Sequence, residues 1–213
     1  MTSANYKDIA NKIKFEGRAF IDGKYVDAID GKKFETINPA TGDVLCSVAQ
    51  CNKKDVDLAV KVSRKAFKSG VWSRTSPEFR KDILLKFAEL LRKHGVENSV
   101  LECIDTGKLI GDCINEVAND APMHFQWYGE LIDKVFGKVG PTEPSLTSLI
   151  VKEPIGIVAG VVPWNFPLMM AVWKMAPALA AGCSVIIKPA EDTPLTAIID
   201  AQIAKEAVIP DCE

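Results

Sequence analysis

The feature that most constrains this chain is a strand–helix–strand pattern over residues 156–191. Residues 157–162 form a short apolar run rich in β-branched side chains, which predicts a strand buried on both faces of a parallel sheet. Residues 168–181 carry apolar or small side chains on nearly every face, which predicts a buried helix, and Gly182 suits the left-handed position after its end. Residues 185–187 predict a second buried strand, so this stretch indicates an α/β fold.

Polar side chains follow both predicted strands. Pro163 and Pro167 enclose a short loop that carries Asn165, and proline favours an extended conformation in the residue before it. Lys188 and Glu191 come directly after the second strand. Because ligands of open parallel sheets bind outside the carboxyl ends of the strands, we expect these three polar residues to reach one ligand-binding edge.

These segments resemble the NAD(P)-dependent aldehyde dehydrogenase superfamily. The resemblance rests on residues 163–167 with 188–191 and extends over almost the whole chain, through residues 38–42, Trp72 and residues 105–108. The sequence pattern of residues 127–142 is most similar to that of γ-glutamyl-γ-aminobutyraldehyde dehydrogenases, which oxidise ω-amino aldehydes in polyamine breakdown. The resemblance therefore implies an NAD-dependent enzyme that converts an aldehyde to a carboxylic acid through a cysteine thiohemiacetal.

The same resemblance implies the domain organisation. Residues 1–135 correspond to N-terminal β-hairpins and helices of the cofactor domain, and residues 136–153 to the start of a β-extension through which subunits pair into homo-oligomers. Residues 154–213 correspond to the first β-α-β-α of an incomplete Rossmann-like parallel sheet. The catalytic domain, with the nucleophilic cysteine and the general-base glutamate, has no counterpart in this chain, so we expect residues 1–213 to be inactive alone.

Asn165 is the candidate catalytic residue. By resemblance, its carboxamide N–H stabilises the oxyanion that forms when a thiolate attacks the aldehyde, and loss of one such donor typically lowers the rate by about 10²–10³-fold. The alternative is that Asn165 only caps the following helix.

The remaining candidate site residues bind the cofactor by resemblance: Val162, Pro163, Trp164, Lys188, Ala190 and Glu191. Lys188 and Glu191 match the pair that holds the adenosine ribose. A carboxylate accepts hydrogen bonds from ribose hydroxyls and repels a 2′-phosphate, so the sequence predicts that NAD is preferred over NADP. Two alternatives stay open: Lys188 and Glu191 as a solvated ion pair, and Trp164 as a core residue.

Composition excludes several other classes of protein. The formal net charge is −2 without a basic stripe, which argues against nucleic-acid binding. There is no signal-peptide pattern or apolar run of membrane-spanning length, so we expect a cytoplasmic protein. The six cysteines form no Cys-x-x-Cys pair and predict free thiols rather than a metal site, and Cys183 and Cys212 are interpreted as structural or incidental. His94, at a predicted helix end, and His124 are interpreted as satisfied or exposed.

The rest of the chain predicts small β-structure followed by helices. Asp22-Gly23 predicts a hairpin turn, and residues 34–37 and 44–48 predict further strands. Helices are predicted over residues 52–69, from a capping box at 75–78 to a stop before Gly95, and over 97–104, 114–134 and 193–207. A strand is predicted over 149–152.

Two further functions stay open. One is a non-catalytic module that binds a nucleotide or pairs with enzyme subunits through residues 136–152. The other is part of a CoA-acylating relative, which this region of the chain does not distinguish.

Overall fold

The computed structural model describes residues 3–210, in which helices pack around four two-stranded sheets. Three of these sheets are antiparallel, and the fourth is parallel. The strands, in chain order, are β1 (Ala19–Ile21), β2 (Lys24–Val26), β3 (Lys33–Ile37), β4 (Val44–Ala49), β5 (Lys138–Gly140), β6 (Ser148–Ile150), β7 (Ile157–Val161) and β8 (Ser184–Lys188).

Seven α-helices accompany these strands within the described residues. They are α1 (Ser3–Ala10), α2 (Lys53–Ser69), α3 (Pro77–Thr106), α4 (Ile110–Cys113), α5 (Ala121–Leu131), α6 (Pro167–Ala180) and α7 (Leu195–Glu206). A π-helix (Ile114–Asp120) joins α4 to α5, and a 3-10 turn (Ile132–Lys134) follows α5. No helix in this part of the chain is long and apolar enough to cross a membrane.

The strand–helix–strand unit forms as the sequence predicts. Strands β7 and β8 pair in parallel, with Ile157 opposite Ser184 and Val161 opposite Lys188, and α6 connects them. An added Cβ at Gly160 would lie 2.8 Å from the Ile187 side chain and 3.2 Å from that of Lys174, so this glycine lets α6 pack closely on β7. The α/β fold class is therefore confirmed.

The prediction that β7 is buried on both faces is wrong. Ala159 and Val161 are exposed, and the exposed fraction of Val161 is 74%. In the described residues β8 is the sole pairing partner of β7, and both α6 and α2 contact β7 without covering all of it. The apolar sequence of β7 thus exceeds what this chain buries. The sequence also predicts a kink at Pro177, and α6 continues through this residue as a single helix.

The N-terminal β-structure is confirmed. Asp22 and Gly23 take positive φ angles of 57° and 71° between β1 and β2, which is the backbone that a two-residue Asp-Gly hairpin requires. Strands β3 and β4 form the second antiparallel pair. Helix α1 lies where the sequence predicted no element.

Helix α2 begins and ends as predicted. Asn52 accepts a hydrogen bond from the Lys54 N–H, Asp55 accepts one from the Asn52 N–H, and Gly70 ends the helix at φ +82°.

Helix α3 corrects the next prediction. It is one 30-residue helix from Pro77, capped by Ser76, whereas we predicted a stop before Gly95 and a separate helix over 97–104. Gly95 lies inside α3. A side chain is excluded at this position by packing, because an added Cβ would lie 2.8 Å from the Ala118 Cβ. This glycine permits a close helix–helix approach and does not terminate the helix.

The main core lies between α3, α5, α6 and the parallel strands. Trp72 is fully buried, and its indole Nε1–H donates a hydrogen bond to the Leu179 carbonyl at 3.0 Å. Phe87 and Phe125 pack with ring centroids 4.4 Å apart. The sequence predicts that the helix over 114–134 is interrupted or kinked near Pro122, and an irregularity is present there, since the π-helix gives way to α5 at Ala121.

Residues 136–153, predicted to begin a β-extension, contain the hairpin of β5 and β6. The sequence predicted the second strand, over 149–152, but missed the first. The side chains of this hairpin are exposed, including Val139, Leu149 and Ile150.

Candidate functional site

The carboxyl ends of β7 and β8 lie side by side. The Val162 N–H donates a hydrogen bond to the Lys188 carbonyl at 3.1 Å, which extends the pairing by one residue beyond β7. The Asn165 loop and the segment 189–194 therefore leave the sheet at the same edge. A buried side chain joins them, since the Thr193 hydroxyl contacts the Trp164 carbonyl at 3.4 Å.

Asn165 lies exposed in the loop between β7 and α6. The N-cap of α6 is Phe166, which makes no side-chain capping hydrogen bond, so the alternative in which Asn165 caps this helix is not what forms. Among residues 3–210, no side-chain hydrogen bond engages its carboxamide, whose N–H groups can therefore donate to a ligand.

Lys188 and Glu191 form an ion pair at this edge. The Lys188 ammonium donates to Glu191 Oε1 at 2.7 Å, and the two side chains are 51% and 71% exposed. This hydrogen bond lowers the pKa of Glu191, so its carboxylate is ionised at neutral pH. Lys188 and Glu191 thus form a solvated ion pair whose exposed atoms could also bind a ribose, so the two interpretations do not exclude each other.

The other predicted cofactor residues lie in the two segments that follow β7 and β8. Val162 is buried, Pro163 and Trp164 are exposed, and Ala190 is partly buried. With 61% of its surface exposed, Trp164 is not the core residue that the alternative described.

A largely apolar groove of about 670 Å³ runs beside β8. Helices α2, α6 and α7 and the N-terminal strands contribute to its walls, and Lys188, Ala190 and Glu191 are among its lining residues. The predicted cofactor residues that follow β8 therefore border a cavity large enough for a small organic ligand.

Two buried acidic residues of α3, Glu102 and Asp105, contact the helices that follow β7 and β8. The sequence prediction missed Glu102. Glu102 Oε2 accepts a hydrogen bond from the Leu168 N–H at 3.4 Å, and Asp105 Oδ2 accepts one from the Leu195 N–H at 3.0 Å. They thus cap α6 and α7, the helices that follow β7 and β8. Burial raises the pKa of Glu102 to about 7 and that of Asp105 to about 6.

A sequence signal for Glu102 and Asp105 did exist. Leu84, Leu91 and Asn98 recur at intervals of seven along α3, and Glu102 and Asp105 continue this stripe at helical spacing. Acidic residues that continue a stripe begun by leucines indicate buried, partnered carboxylates. The assumed helix stop before Gly95 hid the pattern.

The cysteines and histidines lie outside this arrangement or remain without a catalytic partner. Five of the six cysteines fall in the described range as free thiols, while Cys212 lies outside it. Cys183 packs in the core at the amino end of β8, roughly 16 Å along the strand from the ligand edge. His94 lies inside α3, not at a helix end, and its Nε2 is 3.8 Å from Glu206. No group of three or more metal-ligating side chains occurs in residues 3–210.

Helices α5 and α6 also carry exposed aromatic rings. Trp127 on α5 is 63% exposed and Trp173 on α6 is 48% exposed, and the His124 ring lies 5.9 Å from that of Trp173. Helices α5 and α6, which carry these rings, pack against each other.

Comparisons with known proteins agree with this arrangement. The family model described as "Aldehyde dehydrogenase family" matches residues 25–212. The Escherichia coli NADP/NAD-dependent aldehyde dehydrogenase PuuC is 44% identical over 208 residues, which are 98% of this chain and 42% of PuuC.

Two solved structures share the fold over the whole chain. The γ-glutamyl-γ-aminobutyraldehyde dehydrogenase of Burkholderia cenocepacia superimposes with a TM-score of 0.97 and 48% identity, covering 100% of this chain and 43% of that one. The Pseudomonas syringae indole-3-acetaldehyde dehydrogenase AldA, in complex with NAD+ and IAA, gives a TM-score of 0.97 at 45% identity, with coverages of 100% and 43%. The chain thus spans less than half the length of these relatives, and it belongs to the aldehyde dehydrogenase family.

Proposed function

We propose that residues 1–213 are the N-terminal, cofactor-binding part of an enzyme that oxidises an aldehyde to the carboxylic acid with NAD. The observation that carries this proposal is the convergence of the Asn165 carboxamide and the Lys188–Glu191 ion pair at one edge of β7 and β8. The proposed division is the one predicted from sequence: 1–135 as the N-terminal hairpins and helices, 136–153 as the start of the β-extension, and 154–213 as the first part of the cofactor sheet.

In this proposal Asn165 stabilises negative charge on the aldehyde oxygen. A carboxamide N–H is a neutral donor, so it stabilises an oxyanion without pairing with the attacking thiolate. The exposed side chain in a loop between two prolines suits this role, because the backbone around it is restricted. The nucleophilic cysteine itself belongs to a region that this chain does not match, so we expect no dehydrogenase activity from residues 1–213 alone.

The proposed cofactor site consists of the two loops and the bordering groove. The Glu191 carboxylate is ionised and largely exposed, so it can accept hydrogen bonds from the ribose hydroxyls of a dinucleotide. Pro163, Trp164 and Ala190 supply apolar surface at this edge, and Val162, which is buried, joins the two loops through its backbone hydrogen bond to Lys188. The cofactor, when bound, supplies the hydride acceptor for aldehyde oxidation.

We further propose that NAD is preferred over NADP, because the Glu191 carboxylate repels a 2′-phosphate. The name of PuuC includes both cofactors, so the preference must be measured. In the complete enzyme, Glu191→Gln is expected to lower the ratio of kcat/KM for NAD to that for NADP by roughly tenfold, as repulsion of about 1.4 kcal/mol requires. Asp192→Asn, at the next exposed acid, is the matched control. An unchanged ratio in Glu191→Gln would refute this assignment.

The substrate class follows from similarity and from one surface. The B. cenocepacia relative is named for γ-glutamyl-γ-aminobutyraldehyde, and the aromatic rings of Trp127 and Trp173 offer faces that attract an amino-bearing chain when it is cationic. We therefore propose an ω-amino aldehyde or its derivative as the substrate.

The decisive experiment compares two proteins. The complete coding sequence that contains this chain should yield an enzyme that forms NADH from NAD and an ω-amino aldehyde, and Asn165→Ala should lower its kcat by about 10²–10³-fold. Residues 1–213 alone should form none. NADH formation by the isolated chain would contradict the proposed division of the site, and an inactive complete protein would contradict the proposed function.

Subunit pairing through the β5–β6 hairpin is a second proposed function, on the evidence of its exposed apolar side chains. We propose that the complete enzyme is a homo-oligomer that uses this hairpin, and that it works in the cytoplasm. The free thiols in the described residues are consistent with a reducing compartment.

A further inference from the structure

The end of α3 is fixed next to the loop that carries Asn165. Gly107 ends α3 at φ +75°, and its N–H donates to the Cys103 carbonyl at 2.9 Å. An added Cβ at Gly107 would lie 2.9 Å from Pro39 Cγ, so the turn over residues 38–42 packs directly against this helix end. Lys108, the next residue, is thereby held at a defined place.

Glu102 reaches the first turn of α6 from inside the protein. Its side chain is fully buried, and Oε2 accepts a hydrogen bond from the Leu168 N–H. Helix α6 has no capping side chain of its own, because its N-cap is Phe166. A helix start carries unpaired N–H groups and a partial positive charge, so a carboxylate from another helix stabilises it.

Lys108 joins Glu102 to the loop. Its ammonium forms an ion pair with Glu116 and lies 3.9 Å from Glu102 Oε1. The same ammonium lies 4.1 Å from the centroid of the Phe166 ring, within the range of a cation–π contact. Phe166 directly follows Asn165 in the chain.

We propose that Glu102 and Lys108 are positioning residues for Asn165. Lys108 contacts the ring of Phe166, which follows Asn165, and Glu102 accepts a hydrogen bond from Leu168 in the first turn of α6. Thr193 contacts the carbonyl of Trp164, which precedes Asn165. The loop is therefore held on both sides of Asn165, whose own side chain is left to donate. Donors to an oxyanion act only when they are fixed in place before the reaction.

The expected effect of Glu102 and Lys108 on catalysis rests on the proposed function, but their effect on the surroundings of Asn165 can be measured without an activity assay. In residues 1–213 labelled with ¹⁵N at asparagine and leucine, Glu102→Gln should speed hydrogen exchange of the Leu168 amide by about tenfold and shift the Asn165 side-chain resonances. Glu89→Gln, at an exposed glutamate of the same helix, is the matched control and should change neither.

Lys108 is tested in parallel, so that the inference stays testable if Glu102→Gln fails to fold. Lys108→Met should shift the Asn165 resonances, and Lys108→Arg should restore them, because arginine keeps a cation over the Phe166 ring. Lys93→Met, which removes an exposed lysine of α3 that pairs with Glu206, is the control. Unchanged Asn165 resonances in Lys108→Met, or equal shifts in Lys93→Met, would overturn the proposal.

The complete enzyme provides the functional arm. Lys108→Met should lower kcat by about tenfold while the KM for NAD stays within about twofold, and Lys108→Arg should recover most of the loss. A general loss of fold would not produce this separation or this recovery. If the wild-type enzyme oxidises no aldehyde, the proposed function fails while the resonance shifts still decide the positioning.

Discussion

Helix α6 and the β5–β6 hairpin both carry large apolar side chains, but these side chains have opposite surroundings. Most of α6 is buried between α3, α5 and the parallel strands, whereas Val139, Leu149 and Ile150 of the hairpin are each more than half exposed. Apolar sequence therefore identifies surface that tends to leave water, but contacts elsewhere in the fold decide whether this chain itself covers that surface. The following predictions test this contrast.

The largest effect is expected at Trp72, which anchors α6 to the rest of the core. Trp72→Ala removes a fully buried ring and the hydrogen bond to the Leu179 carbonyl, so the free energy of unfolding should fall by about 3–5 kcal/mol. Urea unfolding measures this change. Trp127→Ala deletes the same atoms from a 63% exposed position and should cost far less. Equal losses at the two positions would break the contrast.

The buried carboxyl groups of α3 and α7 predict that stability depends on pH. The pKa of Glu102 is raised from about 4.5 to about 7 by burial, so between these values the folded state binds more protons than the unfolded state. Linkage then requires the free energy of unfolding to fall as the pH rises through this window, by about 3 kcal/mol for this group. Asp105 and Asp200, whose pKa values burial also raises, act in the same direction.

Urea unfolding of the wild type and of Glu102→Gln at pH 5 and pH 7.5 measures this dependence. The variant lacks the titrating carboxyl, so it should lose less stability over this range than the wild type does. Identical losses in the two proteins would mean that Glu102 keeps an ordinary pKa in the folded state.

A smaller effect is expected where α3 passes the π-helix. Gly95→Ala places a Cβ 2.8 Å from the Ala118 Cβ, so the free energy of unfolding should fall by about 1–3 kcal/mol. Gly111→Ala is the matched control in α4, because an added Cβ there meets nothing within 4 Å and should stabilise slightly. Thermal unfolding of both variants distinguishes close packing from helix propensity.

The smallest effect on stability is expected in the hairpin. Leu149→Ser changes a 66% exposed side chain, so the free energy of unfolding should move by no more than about 0.5 kcal/mol. Sedimentation velocity of the complete enzyme should nevertheless show weaker self-association if the hairpin pairs subunits. A large loss of stability in the isolated chain would show that the hairpin packs within the chain after all.

Local signals predicted much of this fold. Asp22-Gly23 requires a hairpin through its backbone preference, and Asn52 with Asp55 specifies a helix start through hydrogen bonds within four residues. Gly95 was misread because its reason for being glycine lies in Ala118, which belongs to another element. A glycine chosen for backbone conformation and one chosen for close packing are identical in sequence.

The candidate site likewise combines features that can be predicted from the sequence with one that cannot. The polar residues after β7 and β8 could be placed at one edge from the sequence, because parallel strands bring their carboxyl ends together. The contact of Glu102 with the Leu168 N–H could not be predicted, because these two residues lie 66 positions apart and meet through the packing of two helices.

The parallel β7–α6–β8 unit, the turns, the helix caps and the family can be predicted from the sequence, because they depend on neighbouring residues and on motifs with fixed spacing. The covering of apolar surfaces, the continuity of α3, and the capping of α6 and α7 by its buried acids become evident only in the folded chain. Those features depend on contacts between distant segments, whose free energies no local pattern records.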